Sequence, residues 1–200
     1  INPDGDLING TYGIYYKIQQ IALFSCFGLS NTIISLLSFN VGLADKERIK
    51  ECIKWGIIDT VIVAGIITIL FESLAGPIAN LFGLTTTGEN KEQIISLCQI
   101  SIRIASIGYV FMGISLAIQG ILQAYRKSVI PLIISLLRLI ILLVPFALIF
   151  VYKDNAINTV WWSFPIAELL TAIISSTILF FHYKKNVVCS INKQVFVNEK

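Results

Sequence analysis

Charge is scarce in this sequence. Only 14% of its 200 residues are Asp, Glu, Lys or Arg, against about 25% in soluble globular domains. That is too little to cover a water-soluble sphere of this size. Histidine and methionine each occur once. There is no G-x-S-x-G, no H-E-x-x-H and no Gly-rich phosphate loop, so these hydrolase, metalloprotease and nucleotide-binding signatures are excluded and enzyme chemistry is not expected. The lone His182 falls at the end of an apolar stretch and reads as an interfacial side chain. Cys26, Cys52, Cys98 and Cys189 are scattered with no C-x-x-C spacing. They read as small apolar fillers, not as a disulfide or metal framework. The net charge of +3 is small and the basic residues form no stripe, which argues against nucleic acid as a partner. No secretory signal pattern opens the chain, and its only Met is Met112. The start at Ile1 reads as a loop, and the expectation is a fragment of a longer chain.

What is abundant is apolar. Hydrophobic residues make up 56% of the chain and the mean hydropathy is +0.79. A membrane-spanning helix needs about 20 mostly apolar residues. Residues 18–44 and 104–125 carry no charge, and residues 55–82, 129–152 and 156–183 carry one or two. These runs are too long for barrel strands and lack in–out alternation. The reading is an all-α membrane protein of one domain over 1–200, with spans at about 14–41, 51–74, 92–124, 128–152 and 156–183. Gly76-Pro77 predicts a break in the second span, followed by a short interfacial turn over 77–83.

Basic residues set the orientation. Ten lie after spans one and three and in the tail (Lys46, Arg48, Lys50, Lys54, Arg126, Lys127, Lys184, Lys185, Lys193 and Lys200), and three lie on the other side (Lys17, Lys91 and Lys153). The ten-residue side is expected to be cytoplasmic, which places the C-terminus inside and residue 1 outside. An outside start requires an odd number of helices upstream. Tyr12, Tyr15, Tyr16, Trp55, Tyr152, Trp161, Trp162 and Tyr183 fit interfacial aromatic belts.

Ionisable residues inside a membrane are costly and mark functional candidates. Arg138 lies ~21 Å below the outer end of span four, and Glu168 ~18 Å below that of span five, at ~1.5 Å per residue. The short connection makes the two spans antiparallel neighbours, so an Arg138–Glu168 pair at matched depth is expected. It is either a structural ion pair or part of a transport site. Arg103 sits in the outer half of span three and can snorkel outward. Asp59 reads as solvated or helix-pairing, and Glu72 as interfacial.

Polar stripes add further candidates. Gly28, Asn31, Ser35, Ser38 and Gly42 share one face of span one. They serve either helix packing or the wall of a hydrated cavity. In span three, Met112, Ser115, Gln119 and Gln123 share a face that could line a cavity. Gly113, Ala117, Gly120 and Ala124 form an adjacent ridge suited to close packing. Pro131, Ser135, Arg138, Leu142 and Pro145 share a face of span four. Pro165, Glu168, Thr171 and Ser175 run along span five. Proline in membrane helices bends them and frees carbonyls, one way transporters build sites.

Several segments together carry a family resemblance. The first span with its following turn, ending FNVGLADKERIKE, resembles the multidrug and toxic compound extrusion (MATE) transporters. QGILQAYRKSVIPLIISLLRLIILLVPFALIF and WWSFPIAELLTAIISSTILFF continue the likeness, which covers about residues 11–183. The resemblance implies a twelve-helix fold of two six-helix lobes, with these spans matching helices eight to twelve and the N-terminal lobe absent. It implies export of organic cations and drugs in exchange for Na⁺ or H⁺ by alternating access, with no other cofactor. The setting would be a lipid bilayer, the bacterial cytoplasmic membrane. Arg138 falls where related bacterial members have Arg, Glu168 where many have Asp, and Gln123 in a turn of the QA-x-(G/R)-K type. The sequence departs at Tyr125, where Gly is common, and span one lacks the carboxylate that one subgroup uses for cation binding. Glu168, Arg138, Asn31, Ser35, Gln119, Gln123 and Arg103 are the expected cavity residues. Two rivals stand beside this reading: a lipid-linked oligosaccharide flippase of the same superfamily, for which Arg103 and Arg138 would supply cations, and a non-transporting membrane scaffold subunit.

Overall fold

A computed structural model describes the backbone of residues 3–83, 91–152 and 156–198, and the side chains within 9–81, 91–152 and 156–183. Among these residues all regular structure is helical. The order is α1 (Pro3–Gly42), α2 (Lys46–Gly83), α3 (Lys91–Ser106), α4 (Gly108–Ala124), α5 (Val129–Leu136), a π-helical segment (Leu137–Leu143), α6 (Val144–Val151), a short α7 (Ala156–Thr159), a 3₁₀ turn (Val160–Trp162) and α8 (Ser163–Asn198). Four stretches are long and apolar enough to cross a membrane: Asn9–Gly42, Lys46–Leu81, Val129–Val151 and Ala156–Tyr183. The α3–α4 pair, bent by 44°, makes a fifth when counted as one span.

α4 is the central helix. It packs against α1, α2, α5 and α8. Met112, Ala117, Ile121 and Leu122 are fully buried. The ridge of Gly113 and Gly120 does pack closely. A Cβ on Gly113 would lie 3.0 Å from Ala64 Cβ, and one on Gly120 would lie 2.5 Å from Ser30 Oγ. α1 turns Tyr15, Ile18, Ala22, Cys26, Ile33 and Leu37 inward at helical spacing.

The turns after α1 and α4 are built alike. Asp45 N–H donates to Asn40 O (3.2 Å) and Ala44 N–H to Val41 O (3.2 Å); Lys127 N–H donates to Leu122 O (3.0 Å) and Arg126 N–H to Gln123 O (2.8 Å). This double bond pattern closes a helix through one left-handed residue. That residue is Ala44 (φ 55°) in the first turn and Arg126 (φ 58°) in the second. Asp45 then starts α2, its Oδ1 accepting from Arg48 N–H at 3.1 Å.

Several expectations are corrected. Residues 3–6, read as part of a loop, are helical, because α1 begins at Pro3, a residue suited to the first helical position. The break at Gly76-Pro77 and the turn over 77–83 do not occur, since α2 runs through Pro77 to Gly83. Pro77 removes one backbone bond, but its ring is exposed, while Ala75 and Ala79 are fully buried and α2 packs along α3. The expected continuous helix over 92–124 is instead divided at Ile107. There Thr68 Oγ1 donates to Ser106 O (3.2 Å), so a side chain of α2 takes a carbonyl at the bend. Tyr15 and Trp161 do not belong to an interfacial belt. They are 1% and 2% exposed, and their rings meet edge to face at 5.6 Å. Glu72 is half-buried, and Ser106 Oγ donates to its Oε1 at 2.9 Å. Lys153 and the Thr-Gly connection at 84–90 lie outside the described residues, as do the side chains of Cys189 and the tail lysines.

Candidate functional site: a buried ion pair among packed helices

Glu168 lies in the second turn of α8. Pro165 in the first turn needs no backbone donor there. Pro165, Glu168, Thr171 and Ser175 are all buried, as their common face predicted. Arg138 is the second residue of the π segment. Its Nη2 lies 2.9 Å from Glu168 Oε1, with the two side chains 15% and 8% exposed. The expected pair is therefore formed. In so dry a setting the desolvation cost is large, and removing one partner leaves an uncompensated charge, worth about 3–5 kcal/mol.

The surroundings explain how Glu168 reaches this position. Gly108 opens α4 beside α8; a Cβ there would lie 3.1 Å from Pro165 Cα and 3.5 Å from Glu168 Cγ. The lack of a side chain at Gly108 lets the two helices meet at the acid. Ser135, on the same face as Arg138, donates to Gln119 Oε1 at 3.0 Å and ties α5 to α4.

The other predicted residues do not join this centre. Asn31 and Ser35 lie on the exposed face of α1 with Gly28, Ser38 and Gly42. Ser35 Oγ donates back to Asn31 O at 3.1 Å, so the stripe packs against no other described helix through Gly28 or Gly42, where a Cβ would meet nothing within 4 Å. Gln119 is buried and Gln123 exposed, so the two part company. Arg103, in the last turn of α3, is exposed. Asp59 is also exposed and, with Glu51 and Trp55, lines a groove of about 290 Å³ between α1 and α2.

Two residues at the centre were missed. Tyr15 is in electrostatic range of Glu168, Arg138 and Tyr109. The hydroxyls of Tyr15 and Tyr109, and Glu168 Oε2, are buried without a hydrogen-bond partner. The signal for Tyr15 was its spacing from Ile18, Ala22 and Cys26, which marks the inner face of α1. Among the described residues no group of His, Cys, Asp and Glu is placed to hold a metal ion.

The comparisons with known proteins agree with this architecture. The MatE family profile matches residues 9–149. A FAD transporter of Shewanella oneidensis is 23% identical over 162 residues, covering 81% of this chain and 34% of the relative. The multidrug export protein MepA of Staphylococcus haemolyticus is 23% identical over 177 residues, covering 88% of this chain and 37% of the relative. The chain thus spans about a third of the length of these curated relatives. Among solved structures, an inward-facing multidrug resistance MATE family transporter of the MOP superfamily superposes with a TM-score of 0.80 at 17% identity, covering 88% of this chain and 39% of that one. That likeness carries the fold. With the family profile matched over most of its length, and with four apolar spans and a bent fifth, this chain is a multi-pass membrane protein that belongs to the MatE family.

Proposed function

We propose that this chain forms the C-terminal lobe of a cation-coupled antiporter that exports drugs and organic cations by alternating access. The N-terminal lobe of the same protein would supply the facing cavity wall, in the cytoplasmic membrane. The observation that carries the reading is the Arg138–Glu168 pair, closed at 2.9 Å inside the packed helices. Ion pairs buried between membrane spans are rare and are associated with substrate and ion pathways. Relatives whose names describe multidrug export and FAD transport support a small-molecule cargo. The exposed Asn31–Ser35 face of α1 is the part of this lobe suited to line the shared cavity.

The flippase alternative draws less support. Arg103 is exposed and forms no ion pair with the described residues, whereas Arg138 is buried and neutralised by Glu168, so nothing brings the two cations onto one anionic ligand.

The test is drug efflux from cells expressing the full-length protein with Glu168→Gln or Arg138→Ala, at matched membrane abundance. The expected result is a fall of more than about tenfold in each, a barrier change of ~1.4 kcal/mol. Efflux at the parent rate in both variants removes the pair from the transport mechanism.

A further inference from the structure

Glu168 Oε2, Tyr15 OH and Tyr109 OH are among seven buried side-chain atoms without a hydrogen-bond partner among the described residues. An unmet polar group in a dry interior costs about 1–3 kcal/mol. One of the three is an oxygen of Glu168 itself; Tyr15 is in electrostatic range of that carboxylate, and its ring packs at 4.9 Å on Phe164, one turn before Glu168 on α8. Glu168 uses only Oε1 in its ion pair. Tyr15 is in electrostatic range of Tyr109, Glu168 and Arg138. Glu168 on α8 and Tyr109 on α4 are thus each in electrostatic range of Tyr15 on α1.

Resting on the antiporter reading above, we propose that Glu168 is a proton-binding site of this lobe. On loading, it trades its ion pair with Arg138 for a hydrogen bond to the Tyr15 hydroxyl. A proton from the aqueous phase adds to a lone pair on Oε2. The neutral carboxyl then donates that hydrogen to the Tyr15 oxygen, and the Oε1 contact to Arg138 loses its charge assistance. Arg138 is freed within the π segment, a local geometry frequently found at functional sites. Unloading returns the proton to water and restores the pair. No electrons move.

A proton fits this centre better than a metal cation. The guanidinium 2.9 Å from Oε1 repels a second cation at the same carboxylate. Among the described residues no acidic or other ligand cluster assembles there.

The groups facing Glu168 can be named by element. α1 contributes Tyr15 and Cys26, both in electrostatic contact with Glu168 and Arg138. α4 approaches Glu168 at Gly108, where a Cβ would lie 3.5 Å from Glu168 Cγ, and its Tyr109 is in electrostatic range of Tyr15. The π segment contributes Arg138. Arg103 of α3 is exposed, and Glu72 of α2 is engaged by Ser106 instead. α6 and the 3₁₀ turn, which also pack against α8, carry no ionisable side chain.

The experiment is pH-difference infrared spectroscopy of the full-length transporter in lipid nanodiscs, in sodium-free buffer. Acidification is expected to produce the carbonyl band of a buried, protonated carboxylic acid, and Glu168→Gln is expected to abolish it. Arg138→Gln removes the cation that favours the anion, so the midpoint should rise by about one pH unit or more. Tyr15→Phe removes the acceptor for the neutral acid, so the midpoint should fall. Because Tyr15→Phe deletes a single oxygen, it keeps the test valid if a charge variant fails to fold. Survival of the band in Glu168→Gln overturns the proposal. So does a midpoint that stays put in both Arg138→Gln and Tyr15→Phe, or loss of the band on adding Na⁺ at constant pH. Efflux is measured on the same preparations. A protein that exports no organic cation yet shows the band and its shifts defeats the antiporter reading and leaves the proton site standing.

Discussion

At the scale of single residues, small side chains decide which helices can meet. Gly120 faces both Ser30 Oγ, 2.5 Å from where its Cβ would be, and the Ser30 carbonyl at 2.9 Å. A carbonyl of another helix cannot step aside as a flexible side chain can. Ser30 Oγ also donates to Leu116 O at 2.9 Å, locking α1 to α4 at this crossing. Gly28 and Gly42 of α1 meet nothing within 4 Å. Gly120→Ala is therefore expected to destabilise by about 1–3 kcal/mol. Gly28→Ala should be neutral or slightly stabilising, because Ala outranks Gly in a helix interior by about 1 kcal/mol. Thermal unfolding of the full-length protein in detergent, followed by loss of the monodisperse peak, checks both. Equal midpoints for the two variants would contradict the crossing. The alternation of Gly113, Ala117, Gly120 and Ala124 made this ridge legible beforehand. Its partner Ser30 was not, because a serine facing a glycine carries no signature of its own.

At the scale of elements, the two irregular spans matter most, and each has a physical cause. The bend between α3 and α4 is held by Thr68 Oγ1 on the Ser106 carbonyl at 3.2 Å and by the Ser106 hydroxyl on Glu72 at 2.9 Å. Sequence reasoning placed a break one span too early, at Gly76-Pro77, because proline is a visible local breaker. A threonine reaching from another helix is a tertiary contact and cannot be seen in a window of sequence. The π segment Leu137–Leu143 likewise has no proline within it, though Pro131 and Pro145 flank it. A π segment holds one residue more than an α-helix would over the same rise. Deleting the exposed Ile140 should close it to regular α-helix while both flanks keep their facing. Deleting the exposed Ile66 from the regular helix α2 should turn everything beyond it by about 100°. Membrane abundance of the full-length protein carrying each deletion is the measurement: near parent level for Ile140, near zero for Ile66. Equal loss in both would show that the π geometry absorbs nothing.

At the scale of the whole molecule, the question is which way the bundle sits. The ten basic residues read as cytoplasmic include Lys46, Arg48, Lys50 and Lys54 at the start of α2 and Arg126 and Lys127 in the turn after α4, where Ser128 also lies exposed. Asn158, exposed in the short α7, lies at the opposite end of the same span. In intact cells a membrane-impermeant thiol reagent should label Asn158→Cys, whereas Ser128→Cys should react only after permeabilisation. Cys26 and Cys98 are buried, and the half-buried Cys52 is replaced by Ser in both variants. The reverse pattern would invert the topology inferred from charge.

Composition and hydropathy alone determined that this chain is a bundle of apolar helices in a bilayer. Too little charge and long uncharged runs leave no other way to satisfy the backbone. They also located Arg138 and Glu168, because an ionised group in such a run is conspicuous, and the short link between their helices made the pairing predictable. Only the tertiary structure decided what surrounds that pair. Tyr15 turned inward, away from the aromatic belt it resembled, because its face of α1 continues the apolar line of Ile18, Ala22 and Cys26. Tyr109 entered the same centre through a bend fixed from α2. Burial of a phenol depends on which neighbour covers it, and that choice is made between helices, not along them.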